Sequence, residues 1–222
     1  MSGFRNVRII PASDRSLLVS LGEEISIDTH RAVLRLTRSL EGVPEVLNLH
    51  PAYASVLIDF DPRRHPHAAI EDLIRERLET APEPEPSESR MVEIPVQYGG
   101  DFGPDLNDVA RHTGLAPERV VEIHSSAEYL VYFLGFSPGF AYLGGMPPEI
   151  STPRLASPRR QVPAGSVAIG GSQTGVYPLA TPGGWRIIGR TSLKLFDAQS
   201  DPPALLRMGD RVRFIPIGET RG

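Results

Sequence analysis

The first part of the chain has the apolar spacing of a strand and then changes to that of a helix. Leu17, Val19 and Leu21 recur at every second position, as in a half-buried strand. Residues 29–40 instead carry apolar side chains three and four positions apart, which predicts an amphipathic helix with Asp28 as its N-cap. The predicted buried face of this helix consists of Val33, Leu36 and Leu40.

The same two periods return further along. The runs at 46–50 and 55–60 predict two strands, and the HPAY segment between them is typical of a hairpin turn. Residues 66–80 then place a stripe of Ile and Leu side chains on one helical face. Two strands and a helix, followed by two strands and a helix, predict a ferredoxin-like α/β sandwich over residues 1–81.

A segment rich in proline and glutamate follows at 82–90. Its sequence, PEPEPSESR, offers no apolar side chain to a core, so it predicts an extended, solvated linker. A long surface loop within a single domain is the alternative. With the linker interpretation, the chain has two domains, residues 1–81 and residues 91–222.

The second part of the chain is predicted to be mostly β, with Gly and Pro separating short strands. Two short helices are predicted within 105–125, with Asp105 and Pro117 near their starts. Short, closely spaced strands are typical of a barrel or a sandwich, so the whole chain is predicted to be α+β. The predicted strands cover 91–98, 128–136, 165–171, 185–190, 192–196 and 210–217.

The composition is that of an ordinary globular protein, with 40% hydrophobic and 23% charged residues. A net charge of −4 gives no reason to expect a nucleic-acid partner. The absence of cysteine excludes disulfides, thiolate metal sites and a cysteine nucleophile, and is consistent with a reducing cytosol. Because the sequence shows neither a signal-peptide pattern nor a membrane-spanning apolar stretch, we expect a cytoplasmic protein without membrane association.

Glycine and positive charge are both concentrated in one region of the predicted second domain. Residues 132–191 contain 11 of the 21 glycines, and residues 150–196, the acid-free segment, contain no Asp or Glu. Glycines let a ligand approach the backbone, and clustered arginines attract carboxylates and phosphates. The combination predicts an anion-binding surface formed by loops. The cations of the acid-free segment are Arg154, Arg159, Arg160, Arg186, Arg190 and Lys194.

Several common active-site patterns are missing from the sequence. The run 170–175 has no lysine after its last glycine, so it is a predicted β-turn and not a phosphate loop. His65 and His67 have no third ligand nearby, and we predict no metal site. Hydrolysis by this chain alone is unsupported, because no hydroxyl lies in a nucleophile-elbow pattern. The hydroxyl residues considered are Ser137, Ser166, Ser172 and Thr174.

Three kinds of side chain are candidates for a site in this region. A bidentate arginine is the natural ligand of a carboxylate, and Arg154 and Arg190 are the candidates, with an internal salt bridge as the alternative. Phe140 and Trp185 belong either to the core or to the wall of a pocket or interface. His124 lies either at the rim of the glycine-rich region or at a helix C-terminus against the dipole.

The order and spacing of these motifs resemble the family formed by the B subunit of bacterial 5-oxoprolinase, also called the KipI or allophanate hydrolase subunit 1 family. GFSPGFAYLGG at 135–145 and the run from PRLASPRR to IIGRT at 153–191 carry the resemblance. IPVQYGG and VVEIHSSAEYLVYFLGF extend it upstream. One departure is Ala141, where many members have proline, and we expect it to alter only the stiffness of a loop.

This resemblance implies a ferredoxin-like N-terminal domain and a cyclophilin-like β-barrel C-terminal domain. It also implies an obligate subunit of an ATP-dependent lactam hydrolase. That enzyme opens 5-oxoproline (pyroglutamate) to glutamate with partner subunits C and A, and the isolated chain is expected to be inactive. ATP is then expected to bind on a partner subunit.

With this activity as a hypothesis, the candidate residues acquire roles. His124 is expected to assist proton transfer, and Arg190 to hold the substrate carboxylate or a phosphorylated intermediate, which makes these two the predicted catalytic residues. Backbone N–H groups around 170–175 and 183–184 are expected to support developing negative charge. The expected substrate-binding residues are Phe140, Arg154, Gln173, Thr174, Gly175, Gly183, Gly184, Trp185 and Thr191.

Two other functions stay open. Some members resemble inhibitors that bind a sporulation histidine kinase, which would make the chain a binding module. The other function is half of a biotin-dependent carboxyltransferase in urea or allophanate metabolism. In that case biotin would arrive on another protein, because Lys194 is the only lysine and has no biotinyl-lysine context.

Overall fold

The computed structural model describes residues 7–82 and 89–218. The chain divides into two compact units, Met1–Glu88 and Ser89–Gly222. Most of the predicted linker, residues 83–88, lies outside the described residues, so the linker stays a prediction.

The first unit contains strands β1 (Arg8–Ser13), β2 (Ser16–Ser20), β3 (Val46–Pro51) and β4 (Ser55–Phe60) and helices α1 (Ile27–Leu40) and α2 (His67–Thr80). Its sheet is antiparallel with the order β1-β2-β4-β3. The ferredoxin-like α/β sandwich is therefore confirmed. Strand β1 is the edge strand beside β2, and these two strands form the first hairpin of the unit.

The core of the first unit lies between the helices and one face of the sheet. The predicted stripe on α1 is completely buried, as are alternate residues of β4. The prediction of Asp28 as N-cap is wrong, because Ser26 occupies that position and its Oγ accepts a hydrogen bond from the Thr29 N–H at 3.1 Å. Asp28 lies in the first turn, where a carboxylate is stabilised by the helix dipole.

The second unit contains a closed barrel, in which neighbouring strands pair antiparallel with one exception. Its strands are β5 (Met91–Tyr98), β6 (Tyr129–Leu134), β7 (Ala141–Gly144), β9 (Ser166–Gly170), β10 (Gln173–Val176), β12 (Arg186–Arg190) and β13 (Arg211–Pro216). The barrel order is β10-β7-β6-β13-β5-β12-β9, and only β13 and β5 pair in parallel. The predicted barrel is confirmed.

Other elements of the second unit flank the barrel. The two predicted helices are present as α3 (Leu106–Thr113) and α4 (Pro117–Ser126). A separate two-stranded sheet joins β8 (Arg159–Val162) to β11 (Thr181–Gly183). The predicted strand at 192–196 is wrong: within it only Phe196 forms an isolated bridge, to Ala204. The segment is a loop, and its apolar pattern arises because Leu195 packs in the barrel core.

Candidate functional site

Strand β9 separates two environments in the second unit. Val167 and Ile169 pack in the large core cluster of the barrel, whereas Ala168 between them packs with an aromatic cluster. Because side chains alternate along a strand, the aromatic cluster lies on the outer face of the barrel. We define this aromatic cluster as Phe140, Tyr142, Tyr177 and Trp185.

The glycines of the GGSQTG run make room for Trp185. A Cβ added to Gly170 would lie 2.5 Å from atoms of the indole ring, which is closer than packed atoms can approach. The Phe140 ring meets Trp185 edge to face, with 5.6 Å between ring centroids. Gly171 and Ser172 of this run form the predicted turn between two strands, and Gly170 and Gly175 on either side of it lie against the indole.

Arg154 is exposed and lies over the Trp185 ring of this cluster. Its guanidinium carbon is 5.7 Å from the centre of the Trp185 ring, within reach of a cation–π interaction. Burial raises the pKa of the Tyr177 hydroxyl, and a hydrogen bond with the Trp185 backbone and the nearby charges of Arg154 and Arg159 lower it in part. Tyr177 therefore stays protonated and able to donate at neutral pH.

Acidic residues from outside the acid-free segment pair with some of its cations. Arg159 binds Asp105 at 2.7 Å, and Arg186 binds Asp108 at 3.3 Å. Asp105 is 4% exposed and also accepts a hydrogen bond from the Ile187 N–H at 2.7 Å, which joins α3 to β12. These arginines are therefore structural.

The remaining arginines of the segment are not neutralised in this way. Within residues 7–82 and 89–218, Arg154, Arg160 and Arg190 form no salt bridge with a carboxylate. Arg160 is exposed, whereas Arg190 is only partly exposed and its guanidinium carbon lies 5.9 Å from the centre of the Phe102 ring. Positive charge without a carboxylate partner thus remains at Arg160 and also at Arg154 and Arg190, the two arginines predicted to bind an anion.

His124 lies in the last turn of α4, the helix C-terminal position considered for it, and its ring lies inside the barrel. Its side chain is completely buried and stacks on Phe214, with ring centroids 4.6 Å apart. Tyr98 Oη lies 2.8 Å from Nδ1 and Thr174 Oγ1 lies 2.8 Å from Nε2. The rim placement considered for His124 is therefore wrong, and the substrate-binding role predicted for Thr174 concerns a side chain that is also fully buried.

The donor and the acceptor in each of these hydrogen bonds follow from a further bond, which the Thr174 hydroxyl makes to a backbone carbonyl. The Thr174 hydroxyl donates to the Ala168 carbonyl at 3.0 Å, so it accepts from His124 Nε2–H. Nδ1 is then the acceptor and receives the proton of the Tyr98 hydroxyl. Burial lowers the pKa of His124 to about 3, consistent with a neutral ring that donates from Nε2 and accepts at Nδ1.

Four of the other predicted site residues lie close to the aromatic cluster or next to Trp185 in the chain. Gly175 lies beside Phe140 and Trp185, and Gly183 lies against the Tyr177 hydroxyl. Gln173 pairs with Gly170, which places its side chain on the outer face near Trp185. Gly184 accepts a hydrogen bond from the Leu155 N–H at 2.7 Å.

Thr191 has a structural contact of its own. Its Oγ1 accepts a hydrogen bond from the Leu193 N–H at 3.1 Å, which closes the turn after β12. The Gly171 N–H, one of the amides predicted to support negative charge, donates to the Thr152 carbonyl at 2.8 Å. The predicted residues thus gather around Trp185, inside the barrel at His124, and around Arg190, and they do not form one continuous site.

Two residues that lie next to Arg190 were not predicted as site residues from the sequence. Phe102 was not considered, although it lies in a glycine-rich turn of the motif that follows β5. Ser166 was considered only as a nucleophile, but it is completely buried and directly paired with Arg190 across β9 and β12. The apolar run around Ser166 contained the signal, since a lone hydroxyl in a buried strand needs a partner.

Two general properties of the described residues bear on the function. In the ranges 7–82 and 89–218, no helix combines the length and apolar character needed to cross a membrane. In the same ranges, no three His, Asp or Glu side chains are grouped so that they could hold a metal ion.

Comparison with known proteins relates this arrangement to a family. The model of the "Carboxyltransferase domain, subdomain C and D" matches residues 7–206. The B subunit of 5-oxoprolinase from Escherichia coli O157:H7 is 50% identical over 212 residues, 93% of this chain and 94% of its own length. The protein of the same name from Bacillus subtilis (strain 168) is 44% identical over 218 residues, 93% of this chain and 91% of its own length.

Solved structures and a distant relative extend the comparison. The crystal structure of TTHA0988 has a TM-score of 0.83 and 38% identity over 94% of this chain, which spans 41% of the TTHA0988 chain. The "Urea amidolyase" of Saccharomyces cerevisiae (strain ATCC 204508 / S288c) is 27% identical over 131 residues, 52% of this chain and 7% of its own length. Fold and family model define the class as that of carboxyltransferase C and D subdomains. Within that class, the chain belongs to the family of the 5-oxoprolinase B subunit.

Proposed function

We propose that this chain is the B subunit of an ATP-dependent 5-oxoprolinase, which opens 5-oxoproline to glutamate and is active only with subunits C and A. The observation that carries the proposal is the 50% identity, across 93% of this chain, to a protein named as the 5-oxoprolinase B subunit. The unneutralised arginines of the second unit support it, because 5-oxoproline carries a carboxylate.

The reaction needs activation because a lactam carbonyl is a poor electrophile. Transfer of the γ-phosphoryl group of ATP to the lactam oxygen would release ADP and make the ring carbon reactive. Water then adds to that carbon, and cleavage of the C–N bond frees the amine and leaves an acyl phosphate. A second water hydrolyses this acyl phosphate to glutamate and inorganic phosphate.

The contribution of this chain is to hold anionic groups during that sequence. Arg190 is placed to bind the substrate carboxylate or a phosphorylated intermediate, and Arg154 on Trp185 offers a second cation on the outer face. The nucleotide is assigned to a partner subunit. In this chain the GGSQTG run does not act as a phosphate loop, because its Gly170 and Gly175 pack against the Trp185 ring. No step is assigned to a metal in this chain.

We revise the role of His124 from proton transfer to positioning. A fully buried neutral imidazole with both nitrogens bonded fixes β10 through Thr174 and β9 through the Ala168 carbonyl. Ala168 lies on the side of β9 that carries the aromatic cluster. His124 therefore acts on the outer face through the backbone of these strands.

The surface that we propose for contact with a partner subunit is the loop around Phe136. This side chain is 62% exposed and contacts the rings of Phe140 and Tyr177 at centroid distances of 5.4 Å and 6.3 Å. Its φ of 67° is left-handed, a costly conformation for a residue with a Cβ. A partner is favoured as occupant because TTHA0988, in which a region similar to this chain covers only 41% of the length, contains further polypeptide.

The test of the function is glutamate release from 5-oxoproline and ATP by the chain co-expressed with candidate C and A subunits. Omission of each subunit in turn should abolish activity, and omission of this chain is the decisive arm. Full activity without this chain would contradict the proposal. No activity from a demonstrably assembled set would favour another function, including binding of a histidine kinase.

A second candidate is half of a biotin-dependent carboxyltransferase that acts on urea or allophanate. It is favoured by the carboxyltransferase family model and by the distant similarity to a urea amidolyase. Activity that requires a biotinylated carrier and bicarbonate would support it. Glutamate release without any biotinyl protein would exclude it.

A further inference from the structure

Two neighbouring strands carry two buried polar atoms, Arg190 Nε and Ser166 Oγ, that have no hydrogen-bond partner among the described residues. Arg190 on β12 and Ser166 on β9 are directly paired, so their side chains leave the sheet on the same face. Ser166 is completely buried, and its Oγ has no hydrogen-bond partner within the described ranges. The Nε of Arg190 is also buried and has no partner there. Buried polar groups in folded proteins are normally satisfied, so these two atoms keep hydrogen-bonding capacity that no described protein group uses.

Three further residues surround this pair: Gly165, Phe102 and Gln97. Gly165 has a φ of +81°, and a Cβ there would lie 2.2 Å from the Thr191 carbonyl oxygen, so only glycine permits this close approach of the two backbones beside the stem of Arg190. Phe102 presents its ring 5.9 Å from the guanidinium carbon. Gln97 pairs with Arg190 on the other side, so the amide, the guanidinium and the hydroxyl follow one another across β5, β12 and β9.

We infer that Arg190 and Ser166 form a subsite for the carboxylate of a small substrate, with Ser166 as a binding residue. A carboxylate accepts two parallel hydrogen bonds from the Nε and Nη edge of arginine, and a hydroxyl can donate to the remaining lone pair. Among the described residues no carboxylate forms a salt bridge with Arg190, so no protein carboxylate competes with an external anion for its guanidinium. The identity of the substrate as 5-oxoproline rests on the proposed function.

The geometry distinguishes this subsite from the surface at Arg154. Arg154 is exposed on the Trp185 ring, whereas Arg190 combines a buried Nε with a buried hydroxyl. Water competes less well for buried donors, so a carboxylate bound there is recognised both by charge and by shape. We therefore assign substrate recognition to Arg190 and Ser166.

The experiment is a titration of the full chain, labelled with ¹⁵N at arginine and followed through the Nε–H signals. The Arg190→Lys variant identifies the Arg190 signal. We expect 5-oxoproline to shift this signal in a saturable manner and 5-oxoprolinamide, which keeps the lactam but lacks the charge, to leave it unchanged. Inorganic phosphate and acetate are titrated separately to distinguish phosphate from carboxylate binding.

Ser166→Ala separates a binding role from a structural one. We expect it to weaken 5-oxoproline binding about ten-fold, because one hydrogen bond to a charged group is lost. The unfolding temperature should not fall, since the hydroxyl has no partner in the protein to lose. Ser192→Ala, an exposed serine after the same strand, is the matched control and should bind as the parent chain does.

The outcomes for the subsite and for the proposed function can be told apart. A shift with acetate but not with 5-oxoproline supports the subsite and removes the proposed substrate. Glutamate release by the assembled enzyme, with an Arg190 signal that no carboxylate moves in the chain alone or after addition of unlabelled partners, overturns the subsite and leaves the function. A response to phosphate alone, or undiminished binding by Ser166→Ala, also overturns the carboxylate assignment.

Discussion

Inside the barrel, both ring nitrogens of His124 have partners, whereas on the outer face Arg190 Nε and Ser166 Oγ have none within the described ranges. Both regions bury polar groups: His124 of α4 bonds to β5 and β10, whereas Arg190 and Ser166 lie on β12 and β9. The interior bonds complete a network, which favours a single arrangement of the strands. The unpaired donors outside leave hydrogen-bonding capacity for a ligand. In this unit, a buried polar group whose hydrogen bonds are all made within the protein is structural. A buried polar group that lacks such a partner is a candidate for ligand recognition.

The strongest test of this difference is Arg190→Ala in the assembled enzyme. We expect kcat/KM for 5-oxoproline to fall about 10³-fold, equivalent to about 4 kcal/mol, because a charge-assisted pair of hydrogen bonds is lost in the transition state. Assembly, followed by size-exclusion chromatography, should be unchanged. Arg160→Ala, which removes an exposed arginine from the same segment, is the control. Equal turnover by the two variants would remove the role of Arg190.

His124→Ala should affect stability in place of recognition. It leaves Tyr98 and Thr174 without their partner and opens a cavity beside Phe214, so we expect a loss of about 3 kcal/mol in the free energy of unfolding. Urea unfolding measures this loss. Turnover per folded molecule should stay within a few-fold of the parent, and a much larger fall without loss of stability would restore His124 as a catalytic residue.

Gly170→Ala tests the support beneath Trp185. The added methyl group meets the indole at 2.5 Å, and we expect about 2 kcal/mol of destabilisation with displacement of the ring. Trp185 is the only tryptophan of the chain, so its fluorescence emission reports the displacement directly. Gly184→Ala is the matched control, because its added Cβ has only ordinary contacts, the nearest at 3.6 Å. An unshifted emission spectrum in Gly170→Ala would contradict this packing.

The neutral state of His124 predicts a pH dependence of stability. Its pKa is about 3 in the folded chain and about 6.5 in a free histidine, so between these values the unfolded chain binds one more proton. The contribution is fully present above pH 6.5, and stability falls as pH drops towards 3, by about 1.4 kcal/mol per pH unit.

Urea unfolding at pH 7, 6 and 5 measures this slope, and His124→Gln should make it shallower in the second unit. Burial and the charges of Arg31 and Arg38 lower the pKa of His30 to about 4, which gives the first unit a slope of the same sign. His30→Gln is therefore the matched variant. An identical slope in His124→Gln and the parent would show that folding does not lower the pKa of His124.

Phe136→Ala has the smallest expected effect. We expect the affinity for the partner subunit to fall about five-fold, or about 1 kcal/mol, because an exposed aromatic contact is lost on binding. Isothermal titration of the chain with its partner measures this change. Ile217→Ala removes an exposed apolar side chain after β13 and serves as the control. Equal affinities would place the contact elsewhere.

Periodicity was sufficient for the elements whose burial is one-sided. The stripe of α1 and the alternation of β4 predicted both the elements and their buried faces, because each has one face in the core and one outside it. At 192–196 the same kind of alternation was misleading, because Leu195 belongs to a loop and reaches the barrel core from there, without being part of a strand. Strands β7, β8, β10 and β11 were too short to show a period.

The site was harder to predict than the fold for a related reason. The acid-free segment correctly indicated that carboxylate partners would come from elsewhere, and Asp105 and Asp108 supply them for two arginines. The spacing along the chain contains no information on which arginines these acids reach. His124 and Arg190 were assigned together by residue type, but only the closed barrel shows that one faces inward and the other outward.

The parallel pairing of β13 with β5 has a consequence for synthesis of the chain. These strands join residues 91–96 to residues 211–216, so the seam of the barrel lies between the first and the last strand of the unit. A ribosome must release the segment up to Pro216 before the ring can close. Until then β5 and β6 each present an unpaired strand edge, and a chaperone that shields such edges would raise the yield of folded protein.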